Sequence, residues 1–262
     1  MAILITNDDG IDAPGLAAMV EALQGLDTLY VAAPAGNQSG VGTGITIGRS
    51  LRAVRHPDGP GGTVRYSLDG TPSDAVKFGL AHLLGGEKPR LVASGINLGP
   101  NIGRNVRCSG TVGAAFEAVA SGIMALAVSV DYVIPPNWEG AGHYARLAAE
   151  RLLAGPPPEE AFVFNLNVPS AAPEEIAGMV FARHGAGGFQ DTLVADADPG
   201  RYSLGGEWMT FAPGGDCDGA AFASGYAVAT PLRLEMTHAG MLSRLRDEWG
   251  PVVGGGGSGG NP

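Results

Sequence analysis

Short apolar runs alternate with segments of helical character along the first 168 residues, and this alternation constrains the fold more than any other feature. Residues 2–6 (AILIT) are an uninterrupted apolar run, which is typical of a strand buried in a parallel sheet. Pro14 suits the first turn of a helix predicted to run to about Leu26, and residues 29–33 form a second apolar run. Strand, helix and strand in this order predict a right-handed βαβ unit.

The same alternation continues along the chain. It predicts helices at about 71–84, 110–121 and 138–153, and strands at about 90–94, 124–130 and 162–167. Strands that alternate with helices are typical of a doubly wound α/β fold with a mostly parallel sheet. Residues 45–70 contain alternating residues and turn signals, which predict a hairpin inserted into this core.

The pattern changes after Pro169. Residues 180–237 contain short extended pieces and many glycines, so we expect a core at 1–169 and a β-rich extension at 170–250. Within the extension a helix is expected near 220–224 and a strand near 227–234. Residues 251–262 are rich in glycine and are predicted to be disordered.

Charge and composition exclude several classes of function. The formal net charge of −10 opposes a broad basic surface, so a nucleic-acid polymer is not expected as a partner. No apolar run approaches the ~20 residues of a membrane span, and the N-terminus lacks a basic signal region. Cys108 and Cys217 form no CxxC pair, and both are predicted to be small buried side chains. We therefore expect a cytoplasmic protein without a membrane partner.

Polar side chains follow three of the predicted parallel strands. In open parallel sheets, ligands bind beyond the carboxyl ends of the strands, so these side chains are expected to meet in one crevice. They are Asn7, Asp8 and Asp9 after the first strand, Ser39 after the second, and Asn97 and Asn101 after the third.

Asp8 and Asp9 allow two interpretations. Two adjacent carboxylates after a buried strand repel each other, and a bound cation would offset that repulsion. With the Ser39 hydroxyl and the Asn97 amide oxygen they form a set of hard oxygen ligands that suits Mg²⁺, Mn²⁺ or Ca²⁺ rather than zinc. Asp-Asp-Gly is also good turn chemistry, so a plain surface turn stays open as the alternative.

Ser109, Gly110 and Thr111 stand at the start of a predicted helix. They either cap the helix or bind a phosphate through hydroxyl and N–H groups at its positive end. The segment is not a Walker A loop, since no Gly-Lys-Ser/Thr is present. The first strand is followed by NDDG instead of a G-x-G-x-x-G fingerprint, so a dinucleotide site is not expected.

These motifs resemble the SurE survival-protein family of 5′/3′-nucleotidases, over about residues 1–236. The resemblance is carried by ordered, correctly spaced segments. They are ILITNDDG at 3–10, APG at 13–15, NQSG at 37–40, GTPSD at 70–74, SGIN at 94–97, SGTVGAA at 109–115 and NLNVP at 165–169, followed by Asp218, Gly225-Tyr226 and Thr230-Pro231-Leu232.

The resemblance implies a metal-dependent phosphatase that acts on nucleoside monophosphates. One divalent cation per subunit, Mg²⁺ or Mn²⁺, would be held by Asp8, Asp9, Ser39 and Asn97, of which Asp8, Asp9 and Asn97 would be catalytic. It also implies a Rossmann-like core and a β-rich extension exchanged between subunits of a homodimer or tetramer. The expected substrate and phosphate contacts are Asn7, Ser39, Asn101, Ser109, Gly110 and Thr111.

The chain departs from the family pattern just before residue 109. The family usually has two acids and then a tyrosine there, whereas this chain has Arg104, Asn105 and Cys108, with Arg107 between. Two other functions therefore stay open. One is a phosphatase for a non-nucleotide phosphate ester of secondary metabolism, and the other is a non-catalytic oligomer that binds a metal or a nucleotide.

Overall fold

The structure is a computed structural model that describes residues 1–156, 158–209 and 215–250. The helices are α1 Pro14–Leu23, α2 Pro72–Phe78, α3 Gly110–Ala120, α4 Trp138–Ala154, α5 Asp218–Ala223 and α6 Ala239–Trp249. The strands are β1 Ala2–Thr6, β2 Thr28–Pro34, β3 Ala53–His56, β4 Val64–Leu68, β5 Leu91–Leu98, β6 Ala125–Val130, β7 Val163–Val168, β8 Met179–Phe181, β9 Phe189–Ala195, β10 Tyr202–Trp208 and β11 Ala227–Leu232.

Nine of these strands form one sheet in the order β3-β4-β2-β1-β5-β6-β7-β11-β8. Strands β4 to β7 in this order are parallel, and the antiparallel pairs are β3 with β4 and β11 with β7. The predicted doubly wound, mostly parallel, Rossmann-like α/β fold is therefore confirmed. Strand β1 lies between β2 and β5, so the winding direction reverses there and a crevice opens beyond the carboxyl ends of β1 and β5.

Helices cover both faces of the sheet. On one face α1 packs with α4, and the apolar stripe of α1 predicted from its spacing, Leu16, Met19, Val20 and Leu23, is buried. On the other face α2 packs with α3, whose small residues allow close approach to the strands. The central strands are buried on both sides, which explains their continuous apolar runs.

Strand β5 runs to Leu98, four residues past its predicted end. Its pairing with β6 shifts register between Ser94 and Asn97. Gly95 makes this irregularity possible, because its φ is +132° and a Cβ there would lie 2.3 Å from the carbonyl oxygen of Val128. Asn97 therefore lies at the end of a strand rather than in a loop.

Two predicted regions differ from the structure. The expected hairpin at 45–70 exists as β3 and β4, but β4 pairs in parallel with β2 and so belongs to the main sheet. Within the expected β-rich extension, β8 and β11 also join the main sheet, while β9 and β10 form a separate antiparallel ribbon. Residues 239–249, for which no individual element was predicted, form α6. The predicted disordered tail at 251–262 lies outside the described residues.

Candidate active site

The turn after β1 is braced by the side chain of Asn7. Its Nδ2 donates to the carbonyl of Gly10 at 2.9 Å, and its Oδ1 accepts from the Gly10 N–H at 3.2 Å. Asn7 is fully buried, and both ends of its amide are used within the turn. Asn7 therefore positions the two aspartates that follow, and its side chain is not among those that line the cleft described below.

The carboxylate of Asp8 lies against the N-terminus of α3. Its Oδ1 accepts a hydrogen bond from the hydroxyl of Thr111, and the backbone N–H groups of Gly110 and Thr111 also interact with it. A Cβ on Gly110 would lie 2.7 Å from Cβ of Asp8, so only glycine permits this approach. Burial nevertheless raises the pKa of Asp8, against the lowering effect of these hydrogen bonds.

The three predicted phosphate contacts at the start of α3 have different environments. The hydroxyl of Thr111 donates its proton to Asp8, so it is not available to a phosphate in this arrangement. Gly110 packs directly on Asp8. The Oγ of Ser109 caps the helix by accepting from Val112 N–H at 3.1 Å, which leaves its O–H proton to donate. Of the three, only Ser109 lines the cleft.

Asp9 is half-buried beside Asp8. Burial, together with the negative charge of Asp8, raises the pKa of Asp9 to about 6, and the N–H of Leu98 opposes this shift. Two adjacent carboxylates with raised pKa values resist simultaneous ionisation, and a bound cation would reverse that effect.

The loop after β2 is held against this turn. The N–H of Gln38 donates to the carbonyl oxygen of Asp8 at 2.7 Å, and the N–H of Ser39 donates to Oδ1 of Asn37 at 2.8 Å. This pair of contacts brings the Ser39 hydroxyl to the crevice at the end of β1. The predicted meeting of loops from β1, β2 and β5 is therefore observed.

The amide of Asn97 is oriented by its neighbour. Its Nδ2 donates to the carbonyl of Gly99 at 2.6 Å, which leaves Oδ1 as the atom able to accept or to coordinate. No group of three or more His, Cys, Asp or Glu side chains converges anywhere in the described part of the chain. The carboxylates of Asp8 and Asp9 and the neutral oxygens of Ser39 and Asn97 are hard donors, and such a set fits Mg²⁺ or Mn²⁺.

A cleft of about 400 Å³ opens at this end of the sheet. It unites five of the predicted site residues, which come from four separate segments of the chain. They are Asp8, Ser39, Asn97, Asn101 and Ser109. The cleft is also lined by residues for which the sequence indicated no defined role, namely Arg104, Asn105, Arg107 and Cys108 and, from the β9–β10 ribbon, Phe189, Asp191 and Leu204.

Asn101 is held by a buried polar network. Its N–H donates to Oδ1 of Asn167 at 2.7 Å, and its Nδ2 donates to the hydroxyl of Ser129 at 2.9 Å. Its carbonyl oxygen accepts from Nδ2 of Asn165 at 2.9 Å. The NLNVP motif on β7 therefore serves to place the loop that follows β5, a role that the sequence did not reveal.

The loop that carries Arg104 is tied to the C-terminal part of the chain. Buried Asp218 accepts from the N–H of Gly103 at 2.9 Å and from the N–H of Gly185 at 3.0 Å. The Oδ1 of Asn105 accepts from the N–H of Phe189 at 3.0 Å, at the start of the ribbon. These contacts explain why ribbon residues reach a cleft built at the ends of β1 and β5.

Both cysteines are free, as the lack of a CxxC pair indicated. The prediction that both are buried is wrong for Cys108, which is exposed at the cleft, and Cys217 is only partly buried. No helix among the described residues is long and apolar enough to span a membrane.

The chain is similar to known proteins over most of its length. The family model described as "Survival protein SurE" matches residues 3–191. The protein named 5′-nucleotidase SurE from Desulfatibacillum aliphaticivorans is 39% identical over 95% of this chain and 98% of its own length. The equally named protein from Anaeromyxobacter sp. (strain Fw109-5) is also 39% identical, over 94% and 95% respectively. The crystal structure of the SurE protein from Aquifex aeolicus superposes with a TM-score of 0.82 at 32% identity, covering 94% of this chain and 99% of that one.

Proposed function

The chain belongs to the Survival protein SurE family, and from that premise we propose that it is a metal-dependent phosphatase that removes phosphate from nucleoside 5′-monophosphates and 3′-monophosphates. The relatives named 5′-nucleotidase SurE match it over nearly their whole length, which supports phosphate monoester hydrolysis as the reaction. The observation that carries the proposal is the cleft in which the carboxylate of Asp8, the neutral oxygens of Ser39 and Asn97 and the O–H of Ser109 converge. Asp9 does not line this cleft but follows Asp8 directly in the turn after β1, where it is half-buried.

The side chains of the cleft suggest how the reaction proceeds. One divalent cation per subunit, Mg²⁺ or Mn²⁺, would supply Lewis acidity and lower the pKa of a bound water. Asp8, Asp9, Ser39 and Asn97 are the residues that would hold it. Asp8, which lines the cleft, or Asp9, which is the less buried of the two, would orient the attacking water and accept its proton.

Ser109 stabilises the charge that develops on the phosphoryl oxygens in this proposal. Its O–H donates to a non-bridging oxygen while its Oγ keeps the cap of α3. Thr111 acts indirectly, because its hydroxyl holds Asp8 in place. Asn101 lines the cleft from a loop that the β7 network fixes. Its Nδ2 is engaged by Ser129, so its Oδ1 is the side-chain atom that would accept from a substrate hydroxyl.

Replacing one carboxylate tests this function. We expect Asp9→Asn to abolish phosphate release from nucleoside monophosphates in the presence of Mg²⁺ or Mn²⁺, and EDTA to abolish release by the wild type. Asp12→Asn is the matched control, since Asp12 lies in the next turn and its side chain is 85% exposed. Undiminished release by Asp9→Asn would exclude the mechanism.

The substrate panel separates the two other functions. Sugar and aminoglycoside phosphates are included because Arg104 and Arg107 give this cleft a chemistry that departs from the family pattern. Faster turnover of those esters than of any nucleotide would assign the enzyme to a non-nucleotide substrate. Tight nucleotide binding without phosphate release, with any metal, would identify a non-catalytic binding protein.

We also propose that the protein is a homodimer or a tetramer that exchanges its C-terminal extension between subunits. An isolated two-stranded ribbon and a helix without a buried face are not stable alone, which supports this assembly. Light scattering coupled to size-exclusion chromatography tests it. The ribbon and α6 also carry exposed large apolar side chains that a second subunit would cover. They are Leu193, Val194, Tyr202 and Leu204 on the ribbon and Met241, Leu242, Leu245 and Trp249 on α6.

The cytoplasm is the proposed location, with a small-molecule nucleotide as the partner rather than a nucleic-acid polymer or a membrane. The net charge of −10 supports the exclusion of polyanions, and the two free cysteines are compatible with a reducing compartment. Fractionation of cells with an antibody against the chain tests the location.

A further inference from the structure

Two arginines line the cleft without a carboxylate partner among the residues that the structure describes. Arg104 and Arg107 lie on the 3₁₀ turn Gly103–Arg107 and line the same cleft as Asp8 and Ser109. Neither forms an ion pair within 4 Å among the described residues, whereas most arginines of the chain do. Asp191 lines the cleft from the ribbon side but forms no ion pair with them there. In a chain of net charge −10, these are two cations that no described carboxylate pairs with.

The backbone that carries these arginines is fixed on both sides. The N–H of Arg104 donates to the carbonyl of Gly187 at 2.7 Å, and the N–H of Gly103 donates to Asp218. A Cβ on Gly188 would lie 2.9 Å from Cγ of Arg104, so the stem of this side chain packs closely on the chain that enters β9. The guanidinium groups are therefore presented by a preorganised turn rather than by a mobile loop.

Arg104 and Arg107 also line a second cavity, which Asp8 and Ser109 do not reach. This neighbouring cavity has a volume of about 600 Å³, and Phe116 and Leu232 help to enclose it. The arginines therefore stand between the two cavities, whereas Asp8 and Ser109 line only the first of them. In the proposed function, the O–H of Ser109 and a cation held by Asp8 and Asp9 would bind the scissile phosphate, which leaves the arginines to recognise a different group.

We propose that Arg104 and Arg107 form a second anion subsite, and that the preferred substrates carry a second phosphate group beside the ester that is cleaved. This inference rests on the proposed function for the identity of the first site. Guanidinium groups bind phosphate oxygens through paired, charge-assisted hydrogen bonds, which makes arginine well suited to such a subsite. A nucleoside bisphosphate is the class of substrate that this arrangement fits.

Kinetics with two matched nucleotides test the subsite. The value of kcat/KM is measured for adenosine 5′-monophosphate and adenosine 3′,5′-bisphosphate with the wild type and with the double variant Arg104→Ala/Arg107→Ala. We expect the wild type to prefer the bisphosphate, and the double variant to lose about tenfold or more of that preference, as for charge-assisted hydrogen bonds elsewhere. Arg151→Ala is the control, because Arg151 is exposed on α4 and lies outside the cleft.

An equal loss for both nucleotides would overturn the inference, because it would place the arginines on the phosphate that both substrates share. Equal turnover of the two nucleotides by the wild type would overturn it as well. Binding of both nucleotides to the EDTA-treated protein, measured by calorimetry, requires no turnover. If neither nucleotide is hydrolysed, the proposed function fails, while tighter binding of the bisphosphate that disappears in the double variant still supports the subsite. Equal affinities in that measurement refute it.

Discussion

The hydroxyl of Thr111 donates a hydrogen bond to Oδ1 of Asp8, which joins the first turn of α3 to the end of β1. Both residues are buried, and 103 positions of sequence separate them. The negative group at the N-terminus of α3 is therefore a carboxylate of the protein itself. The Ser-Gly-Thr motif serves two purposes, since Thr111 and Gly110 position Asp8 while Ser109 faces the cleft.

Removal of the Thr111 hydroxyl should weaken catalysis more than folding. Thr111→Val keeps the branched shape of the side chain but deletes a charge-assisted hydrogen bond worth about 1.5–3 kcal/mol. We expect kcat/KM for a nucleotide to fall about tenfold or more, with a higher concentration of Mg²⁺ needed for half-maximal activity. Thr111→Ser, which retains the hydroxyl, should lose far less. Equal activity of the Val and Ser variants would show that the hydrogen bond is unimportant.

A methyl group on Gly110 should displace Asp8. Alanine normally stabilises a helix relative to glycine, but here its Cβ would lie 2.7 Å from Cβ and 2.8 Å from Oδ2 of Asp8. Misplacement of a reacting group by ~1 Å costs about a hundredfold in rate, so Gly110→Ala should lose activity on that scale. Phosphate release and the thermal midpoint are measured together. Gly142→Ala on α4 is the control, since the nearest atom to its Cβ would be 3.5 Å away.

The stability of the metal-free protein should depend on pH, because the pKa of Asp9 is raised. Burial lifts this pKa from 3.8 to about 6, so between these values the folded state holds a proton that the unfolded state has lost. The free energy of unfolding contributed by Asp9 is therefore greatest below about pH 4 and is lost as the pH rises to about 6. In EDTA, the thermal midpoint of the wild type should fall relative to that of Asp9→Asn as the pH rises over this range. A difference that does not vary with pH would contradict the prediction.

Loss of the Asp218 carboxylate should loosen the turn that carries the arginines. Asp218 is fully buried and accepts from the N–H groups of Gly103, Gly185 and Gly219. Asp218→Ala leaves these donors unsatisfied and should lower the free energy of unfolding by about 3 kcal/mol or more, measured with urea. Asp216→Ala should leave it nearly unchanged, because Asp216 is an exposed partner of Arg183. Similar losses in the two variants would argue against the structural role of Asp218.

The core elements could be predicted because their signals are local. A buried parallel strand is apolar on both faces, and a helix that covers it repeats its apolar residues every three or four positions, as α1 shows. Parallel strands also bring their carboxyl ends to one edge, so the order of the strands along the chain was enough to place Asp8, Ser39 and Asn97 in one crevice. The extension was harder to predict, since α6 lacks a buried face and β11 pairs with a strand about 60 residues earlier.

The sequence by itself determined the parallel α/β core, the oxygen-bearing side chains at the ends of its strands and the unusual arginines before the Ser-Gly-Thr motif. Only the tertiary structure decided what each of these groups contacts. In the folded protein the Thr111 hydroxyl bonds to Asp8, the carboxylate of Asp218 accepts from the N–H of Gly103, and ribbon residues line the cleft. The physical reason is that periodicity reports which face of an element is buried, whereas a hydrogen bond between distant residues depends on how whole elements pack.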